Sequence, residues 1–267
     1  MGINMTVYRC EDSLEGIFTA VYLAYEEKRN HEDTYLALND APMLFAEDVP
    51  VLPDWEKAGK VINTLNRRFG EKDYQYLCMA LAAEDEEKAQ AVYRTVTDGL
   101  GRRAHPGQLF DNLADSFVNK AFALARNTWR EIDHLRGFVR FQELENGMLY
   151  SRIGPKNNVL DFLMPHFADR LPIENFVMYD DRRNLFGIHP AGKQWVLFCG
   201  SEEGDAGTGG AGPGHRLSEM GLSGEEVQYQ ALFRRFCHAI TIEGRRNAGL
   251  QQNMLPLRFR EYMTEFQ

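Results

Sequence analysis

The chain has 267 residues, of which 44% are apolar and 26% are charged, and its formal net charge is −9. These values are typical of a globular protein with its own core and exclude a disordered or a fibrous chain. Residues 1–125 carry 13 basic and 21 acidic side chains, whereas residues 126–267 carry 17 and 18. We therefore expect any surface for an anionic partner in the second part of the chain.

The cysteines are far apart and form no CxxC pair, which predicts reduced thiols at Cys10, Cys78, Cys199 and Cys237. Neither a metal site nor a cofactor is predicted. Residues 1–10 lack the pattern of a signal peptide, and the longest nearly apolar run, residues 17–25, is too short to span a bilayer. We expect a cytoplasmic protein that does not enter a membrane.

The first hundred residues are predicted to be mainly helical. A short strand over residues 6–10 precedes Asp12, which with Glu15 predicts the start of an amphipathic helix. A second helix is predicted to begin at Asp54 and to end at Gly70, and the helical pattern continues to Leu100. No further strand is predicted in this region.

A connector composition at residues 101–107, GRRAHPG, predicts a boundary there. It would separate a helical region, residues 1–103, from an α+β region, residues 104–267, although one continuous domain is the alternative. Beyond the connector another long helix is predicted to end near Asp133.

From Phe138 the periodicity becomes extended, and Asn146-Gly147 favours a two-residue hairpin loop. This register pairs residues 138–145 with residues 148–153. It places Arg140, Gln142 and Ser151 on one face of the sheet.

After the hairpin, a helix interrupted by Pro165 and strands over residues 175–179, 185–188 and 194–198 predict an antiparallel meander with one crossing helix. Because there is no βαβ repetition, a doubly wound fold is disfavoured.

Glycine-rich residues 200–214 predict a mobile loop without a phosphate-loop pattern. Ser223 and Glu226 begin a last strong helix, whose predicted core stripe includes Tyr229, Leu232 and Phe236. The predicted fold class is α+β, with a helix-rich N-terminal part followed by an antiparallel sheet and packed helices.

Several separated motifs follow one another along this chain: HLRGFVRF at residues 134–141, HFADR at 166–170, YDDRR at 179–183 and LQQNMLPLRFREYMTEFQ at 250–267. Together with the opening YRCEDSLEGIFTAVYLAYE they resemble a bacterial domain family of unknown function. Members of that family look like stand-alone DNA-metabolism proteins or like domains fused in front of uracil-DNA glycosylases. The chain lacks a CxxxCxxC cluster, so it is not itself a radical SAM protein.

The resemblance implies a DNA-metabolism or repair protein, an accessory that contacts single-stranded or duplex DNA, a radical SAM partner, or both. It supplies no catalytic residue. One alternative is an enzyme that acts on a nucleotide or a base through a pocket formed by His134, Arg140, His166 and Asp180. A structural adaptor is the other alternative.

Three further arginines are candidate anion-binding residues: Arg136 beside His134, Arg170 one helical turn after His166, and Arg183 in the charged turn after Asp180. Each also has a structural interpretation. His134 and Arg136 can bind the carbonyls at a helix end, and Arg140 or Arg183 can pair with a nearby carboxylate.

The end of the chain is the best candidate for nucleic-acid contact, because arginines bind phosphates and amides bind base edges. A solvated surface with no ligand is the alternative for these residues. Tyr262, Phe259 and Phe266 could stack on unpaired bases. The candidate nucleic-acid-binding residues are Arg234, Arg235, His238, Arg245, Arg246, Gln252, Arg258 and Arg260.

Overall fold

The structure is a computed structural model that describes residues 5–39, 41, 43–200, 220–239 and 255–266. The predicted mobile loop lies outside the described residues from position 201 onward, and so do Arg245, Arg246, Gln252 and the side chain of His238. Two compact units divide the chain, residues 1–130 and residues 131–267. The predicted domain boundary after residue 103 stays a prediction, because compactness alone does not define an independently folding domain.

Unit 1 contains a parallel sheet in the order β2-β1-β3, formed by β1 (Met5–Arg9), β2 (Thr34–Ala37) and β3 (Ala46–Pro50). Helix α1 (Leu14–Glu26) connects β1 to β2, as a parallel pair requires. Only β1 of these three strands was predicted from the sequence. Strand β2 has only four residues, and β3 carries two acidic residues and a proline, so neither shows a strand's apolar alternation.

Two helices complete the core of unit 1, namely α2 (Trp55–Leu81) and α3 (Lys88–Gly101). The predicted start is confirmed, because the Asp54 carboxylate accepts hydrogen bonds from the backbone amides of Glu56 and Lys57. Gly70 has non-helical backbone angles, φ 82° and ψ 165°, so the first helical segment of α2 ends there as predicted and a second segment continues to Leu81. Large side chains are fully buried in this core, among them Tyr8, Phe18, Phe69 and Tyr93.

Helix α4 (Ser116–Phe138) begins in unit 1 and ends in unit 2. The predicted end near Asp133 was wrong, because the helix includes the first five residues of HLRGFVRF. Leu135 is buried, and the ring of Phe138 lies 6.0 Å from that of Phe259. The last turn is thus packed against a residue far along the chain, which sequence periodicity cannot reveal.

Unit 2 is built on a five-stranded sheet in the order β4-β5-β6-β7-β8. All neighbours are antiparallel except β5 and β6, which are parallel and are connected by α5 (Leu160–Arg170). This confirms the predicted α+β class and the antiparallel arrangement of β6, β7 and β8, whereas the parallel β5-α5-β6 unit was not predicted. The strands are β4 (Gln142–Glu143), β5 (Leu149–Ile153), β6 (Phe176–Asp180), β7 (Leu185–His189) and β8 (Val196–Cys199).

Helix α5 covers one face of this sheet. A Cβ at Gly187 on β7 would collide with the thioether of Met164, so the helix approaches the sheet as closely as glycine permits. The opposite face holds a smaller apolar cluster that includes Leu144, Tyr150, Val177 and Phe186. The two faces therefore offer different environments to polar side chains.

The hairpin between β4 and β5 differs from the predicted one by one residue. Gln142 pairs with Tyr150 and Glu143 with Leu149, and the amide of Leu144 donates to the carbonyl of Met148. Of the loop residues only Gly147 has a positive φ, 76°, as in a three-residue loop with a bulge, whereas the predicted two-residue loop requires two. Since a shift of one residue exchanges the faces, Gln142 shares its face with Tyr150 and not with Ser151.

Helix α6 (Gly224–Ala239) begins as predicted, because the Ser223 hydroxyl accepts a hydrogen bond from the amide of Glu226. Its predicted core stripe is exposed at Tyr229 (64%), Leu232 (62%) and Phe236 (54%), so that part of the prediction was wrong. Helical periodicity identifies an apolar face but not what covers it.

The described part of the chain ends with the short helix α7 (Leu257–Arg260) and a 3-10 turn (Thr264–Phe266). None of the described helices is both long and apolar enough to span a membrane.

Candidate functional site

The C-terminal segment, residues 255–266, contacts two of the other motifs that carry the resemblance, HLRGFVRF and YDDRR. Its first anchor is a buried carboxylate, Glu131, which is 2% exposed in its side chain. Glu131 accepts hydrogen bonds from the backbone amides of Lys156 and Asn157 and from the Asn157 side chain, and it pairs with Arg258 at 3.0 Å. One carboxylate thus connects α4, the turn after Gly154 and the C-terminal segment.

Arg140 is the second anchor. Its Nη1 donates to the carbonyls of Gly137 and Val139 at the end of α4, and its Nη2 lies 2.9 Å from Glu265. The charge of Arg140 is therefore balanced by an ion pair with a carboxylate of the C-terminal segment. The second carboxylate oxygen of Glu265 is buried and has no hydrogen-bond partner among the described residues.

The third anchor joins Asp181 of the YDDRR turn to two side chains. Arg152 donates to Asp181 through Nε and Nη2, at 2.8 and 2.6 Å, and Tyr262 donates its hydroxyl to the same carboxylate at 3.1 Å. The Arg152 guanidinium lies 5.5 Å above the Tyr262 ring. A Cβ at Gly154 would collide with the Tyr262 hydroxyl, so the turn requires glycine here. Burial and the Asp181 charge raise the pKa of Tyr262 above its ordinary value.

The second and third anchors border a pocket of about 290 Å³ on the sheet face opposite α5. Its floor is the β4–β5 hairpin, where alternate residues of each strand point to the same face. The walls are formed by Met220 and Leu222 before α6, by Gln230 on its second turn, and by the C-terminal segment. The lining residues are Arg140, Gln142, Leu144, Tyr150, Arg152, Met220, Leu222, Gln230, Glu261 and Tyr262.

Tyr150 is the most unusual residue of this pocket. Only 5% of it is exposed, and its hydroxyl has no hydrogen-bond partner among the residues that the structure describes. A buried hydroxyl without a partner costs about 1–3 kcal/mol, so most such groups in proteins are paired. Burial raises the pKa of Tyr150 to about 12, which keeps the phenol protonated and able to donate.

The four predicted catalytic candidates are not joined to one another by any contact between described residues. The His134 ring packs against Phe138 and Phe259, at 5.9 and 6.3 Å. Asp180 is fully buried on the α5 side of the sheet and pairs with Arg183 at 3.2 Å. Burial raises the pKa of Asp180, and the Arg183 charge opposes this shift. Arg140 lines the pocket, and His166 lies on α5.

Arg183, a predicted anion-binding residue, forms hydrogen bonds within the protein that hold two turns together. Besides Asp180 it donates to the backbone carbonyls of Pro155 and Lys156. It thereby connects the YDDRR turn with the turn after Gly154.

His166, by contrast, lies close to the two other predicted anion-binding residues, Arg136 and Arg170. Burial lowers the pKa of His166, and the charges of Arg136 and Arg170 lower it further, while Asp169 opposes them. Both arginines are exposed, and neither has an ion pair with a described residue. The imidazole Nε2 is buried without a partner among the described residues. We call these three residues the cationic cluster.

The predicted nucleic-acid set is divided between two roles. Arg258 pairs with Glu131, and Arg260 lies 4.9 Å above the Phe266 ring, so both help to hold the C-terminal segment. Arg234 and Arg235 are exposed on α6, where Arg234 donates to the side chain of Gln230. Within the described residues, no three His, Cys, Asp or Glu side chains group as metal ligands.

Sequence reasoning did not single out Glu131, Tyr150 or Arg152. Tyr150 and Arg152 alternate along β5 and face the same side as Gln142, so a correct hairpin register would have placed them together. No local pattern marks Glu131, whose partners lie 25, 26 and 127 positions away.

The model of one family, described as Domain of unknown function (DUF4130), matches residues 86–265. The match covers both the pocket and the cationic cluster but not the opening segment. No curated protein and no solved structure matches the chain.

Proposed function

The chain belongs to the DUF4130 family, and we propose that it is a DNA-metabolism or repair protein, an accessory that contacts DNA through the cationic cluster of unit 2. Two observations carry this proposal: His166 and Arg170 lie one turn apart on α5, and Arg136 and Arg170 are exposed without an ion pair to any described residue. The cluster draws its residues from HLRGFVRF and HFADR, two of the motifs that resemble DNA-metabolism proteins.

The physical argument starts from repulsion. Neither guanidinium pairs with a carboxylate of a described residue, so both are available to a phosphate, whose negative charge reduces the repulsion between them. Arginine binds phosphate oxygens in a two-pronged geometry, and a neutral imidazole can donate one more hydrogen bond. The net charge of −9 limits non-specific binding, so the contact is expected to be local and sensitive to salt.

Binding of fluorescently labelled single-stranded and duplex DNA to the full chain tests the proposal when it is followed by anisotropy at several salt concentrations. The double variant Arg136→Gln/Arg170→Gln should weaken binding. It should also reduce the slope of log K against log salt by about 1.4 for a single strand, which corresponds to two phosphate contacts.

The matched control is Arg67→Gln/Arg68→Gln on α2 of unit 1, where both arginines are also exposed. This control removes the same charge and should leave the salt slope nearly unchanged. Equal losses in the two double variants, or no binding of either DNA form by the unaltered chain at low salt, would contradict the proposal.

A radical SAM protein as the partner rests on the resemblance alone. If this part is right, a radical SAM protein co-expressed with the tagged full chain should co-purify with it in stoichiometric amount. Co-purification that disappears at moderate salt and after nuclease treatment would indicate that DNA, and not a protein contact, connects the two.

A further inference from the structure

The pocket between the hairpin, α6 and the C-terminal segment has no role in the function proposed above, which uses the cationic cluster. Its volume of about 290 Å³ lies just below the range of about 300–1,000 Å³ that is usual for small-molecule sites. Such sites combine apolar walls with a few converging polar groups. Leu144, Met220 and Leu222 supply the apolar wall here.

The polar groups of the pocket retain hydrogen-bonding capacity. The buried hydroxyl of Tyr150 has no partner among the described residues. Gln142 pairs with Tyr150 across the hairpin, and its side-chain amide forms no hydrogen bond with a described residue. A donor-acceptor amide next to a phenolic hydroxyl is the combination that binds the edge of a planar heterocycle.

The pocket also has a cation with an unused donor. Arg152 binds Asp181 through Nε and Nη2, whereas its Nη1 bonds to no described residue, and its side chain is 54% exposed. Its guanidinium is held in place by Asp181 and by the Tyr262 ring beneath it. An oriented arginine of this kind binds phosphate without first losing much conformational freedom.

We propose that this pocket binds a nucleoside monophosphate, either free or as one unpaired nucleotide of a DNA strand. The base lies against Leu144, Met220 and Leu222, with its edge on Gln142 and Tyr150, and Arg152 binds the phosphate. A simple inorganic anion would use Arg152 alone and would leave the amide, the hydroxyl and the apolar wall without a role. The strand form rests on the proposed function, whereas the free form does not.

Calorimetric titration of the full chain with dTMP, dAMP, the two nucleosides and inorganic phosphate tests the proposal. The monophosphates should bind at least tenfold more tightly than either the nucleosides or phosphate alone. Tyr150→Phe should weaken monophosphate binding roughly tenfold, which corresponds to one lost hydrogen bond in a buried site.

A control and a second variant keep the result interpretable. Tyr150→Phe should raise the melting temperature of the ligand-free chain, since it removes a hydroxyl without a partner, so weaker binding cannot be attributed to unfolding. Tyr179→Phe makes the same change on the same sheet face outside the pocket lining and should leave binding unchanged. Arg152→Gln should abolish the difference in affinity between monophosphate and nucleoside.

The possible outcomes separate this inference from the proposed function. Phosphate that binds as tightly as the monophosphates would overturn the inference and indicate an anion site only. DNA binding that is unaffected by Tyr150→Phe, together with no monophosphate binding, would overturn it while the proposed function stands. Monophosphate binding without any DNA binding supports the free form and contradicts the proposed function. Loss of oligonucleotide binding in Tyr150→Phe supports the strand form.

Discussion

The two units differ in how completely their buried polar groups are paired. In unit 1 the Asp73 carboxylate accepts from the amides of Gly107 and Leu109, Lys88 donates to Asp12, and Thr95 donates to the carbonyl of Ala91. Six buried side-chain atoms lack a partner within the described ranges, and five of them belong to unit 2. Those five lie on Tyr150, Ser151, His166, Arg260 and Glu265.

This difference supports the proposal that unit 2 carries the binding surfaces. Native proteins pair nearly all of their buried polar groups, because a buried polar group without a hydrogen bond lowers the stability of the fold. Unit 1 follows that rule with the single exception of Thr128 among the described residues. In unit 2 the unpaired atoms include a residue of the pocket and a residue of the cationic cluster. We infer that unit 1 is mainly a scaffold and that unit 2 carries the binding surfaces.

The strongest test of this comparison removes the best-paired polar group of unit 2. Glu131→Ala should lower the free energy of unfolding by about 3 kcal/mol, since it leaves the amides of Lys156 and Asn157 without an acceptor and removes the partner of the half-exposed Arg258. Urea unfolding followed by circular dichroism measures this loss.

The matched control is Asp133→Ala, two residues further along the same helix, where the carboxylate is exposed and makes no hydrogen bond to a described residue. It should change stability by less than about 0.5 kcal/mol. If both variants lose the same stability, Glu131 does not hold unit 2 together in the way its contacts imply.

Two substitutions that should change the stability of the chain in opposite directions test the difference in hydrogen bonding between the units directly. Thr95→Val in unit 1 removes a hydroxyl that donates to the Ala91 carbonyl at 2.8 Å and should destabilise the chain by about 1 kcal/mol. Ser151→Ala in unit 2 removes a buried hydroxyl without a described partner and should leave stability unchanged or raise it by up to about 1 kcal/mol. Both values come from urea unfolding midpoints. A loss in Ser151→Ala as large as that in Thr95→Val would remove the contrast between the units.

Much of the fold could be predicted from sequence because its signals are local. The cap at Asp54, the start of α6 at Ser223 and the strands of the meander depend on neighbouring residues and on short-range alternation. The parallel sheet of unit 1 was missed because a parallel strand gains its stability from partners far along the chain, and β3 is too polar to be recognised alone.

The candidate site was harder to predict for a related reason. Its residues come together only when residues 255–266 reach back to Glu131, Arg140 and Asp181, over separations of 81 to 127 positions. Tyr262, for which base stacking stays a prediction, donates its hydroxyl to Asp181, a contact that the sequence does not reveal. In the hairpin, an error of one residue in the register is enough to place the wrong side chain in the pocket. One additional loop residue exchanges Ser151 for Tyr150 on the pocket face.

The smallest expected effect compares two histidines. Burial and a neighbouring arginine lower the pKa of His31 in unit 1, just as burial, Arg136 and Arg170 lower the pKa of His166 in unit 2. A folded-state pKa below the unfolded value of about 6.5 means that the neutral imidazole stabilises the fold above that pH. This contribution is lost as the pH falls through the folded-state pKa.

The two histidines should respond differently to DNA. His31 already has a partner, because its Nδ1 lies 2.6 Å from the Tyr93 hydroxyl, whereas the Nε2 of His166 has none among the described residues. A phosphate between Arg136 and Arg170 offsets their charge, so a saturating oligonucleotide should raise the pKa of His166 and leave that of His31 unchanged. Titration of the imidazole proton signals by NMR, with His166→Gln for assignment, measures both values. Equal shifts at the two histidines would mean that the oligonucleotide acts through general screening, and the cationic cluster would then have no special part in binding.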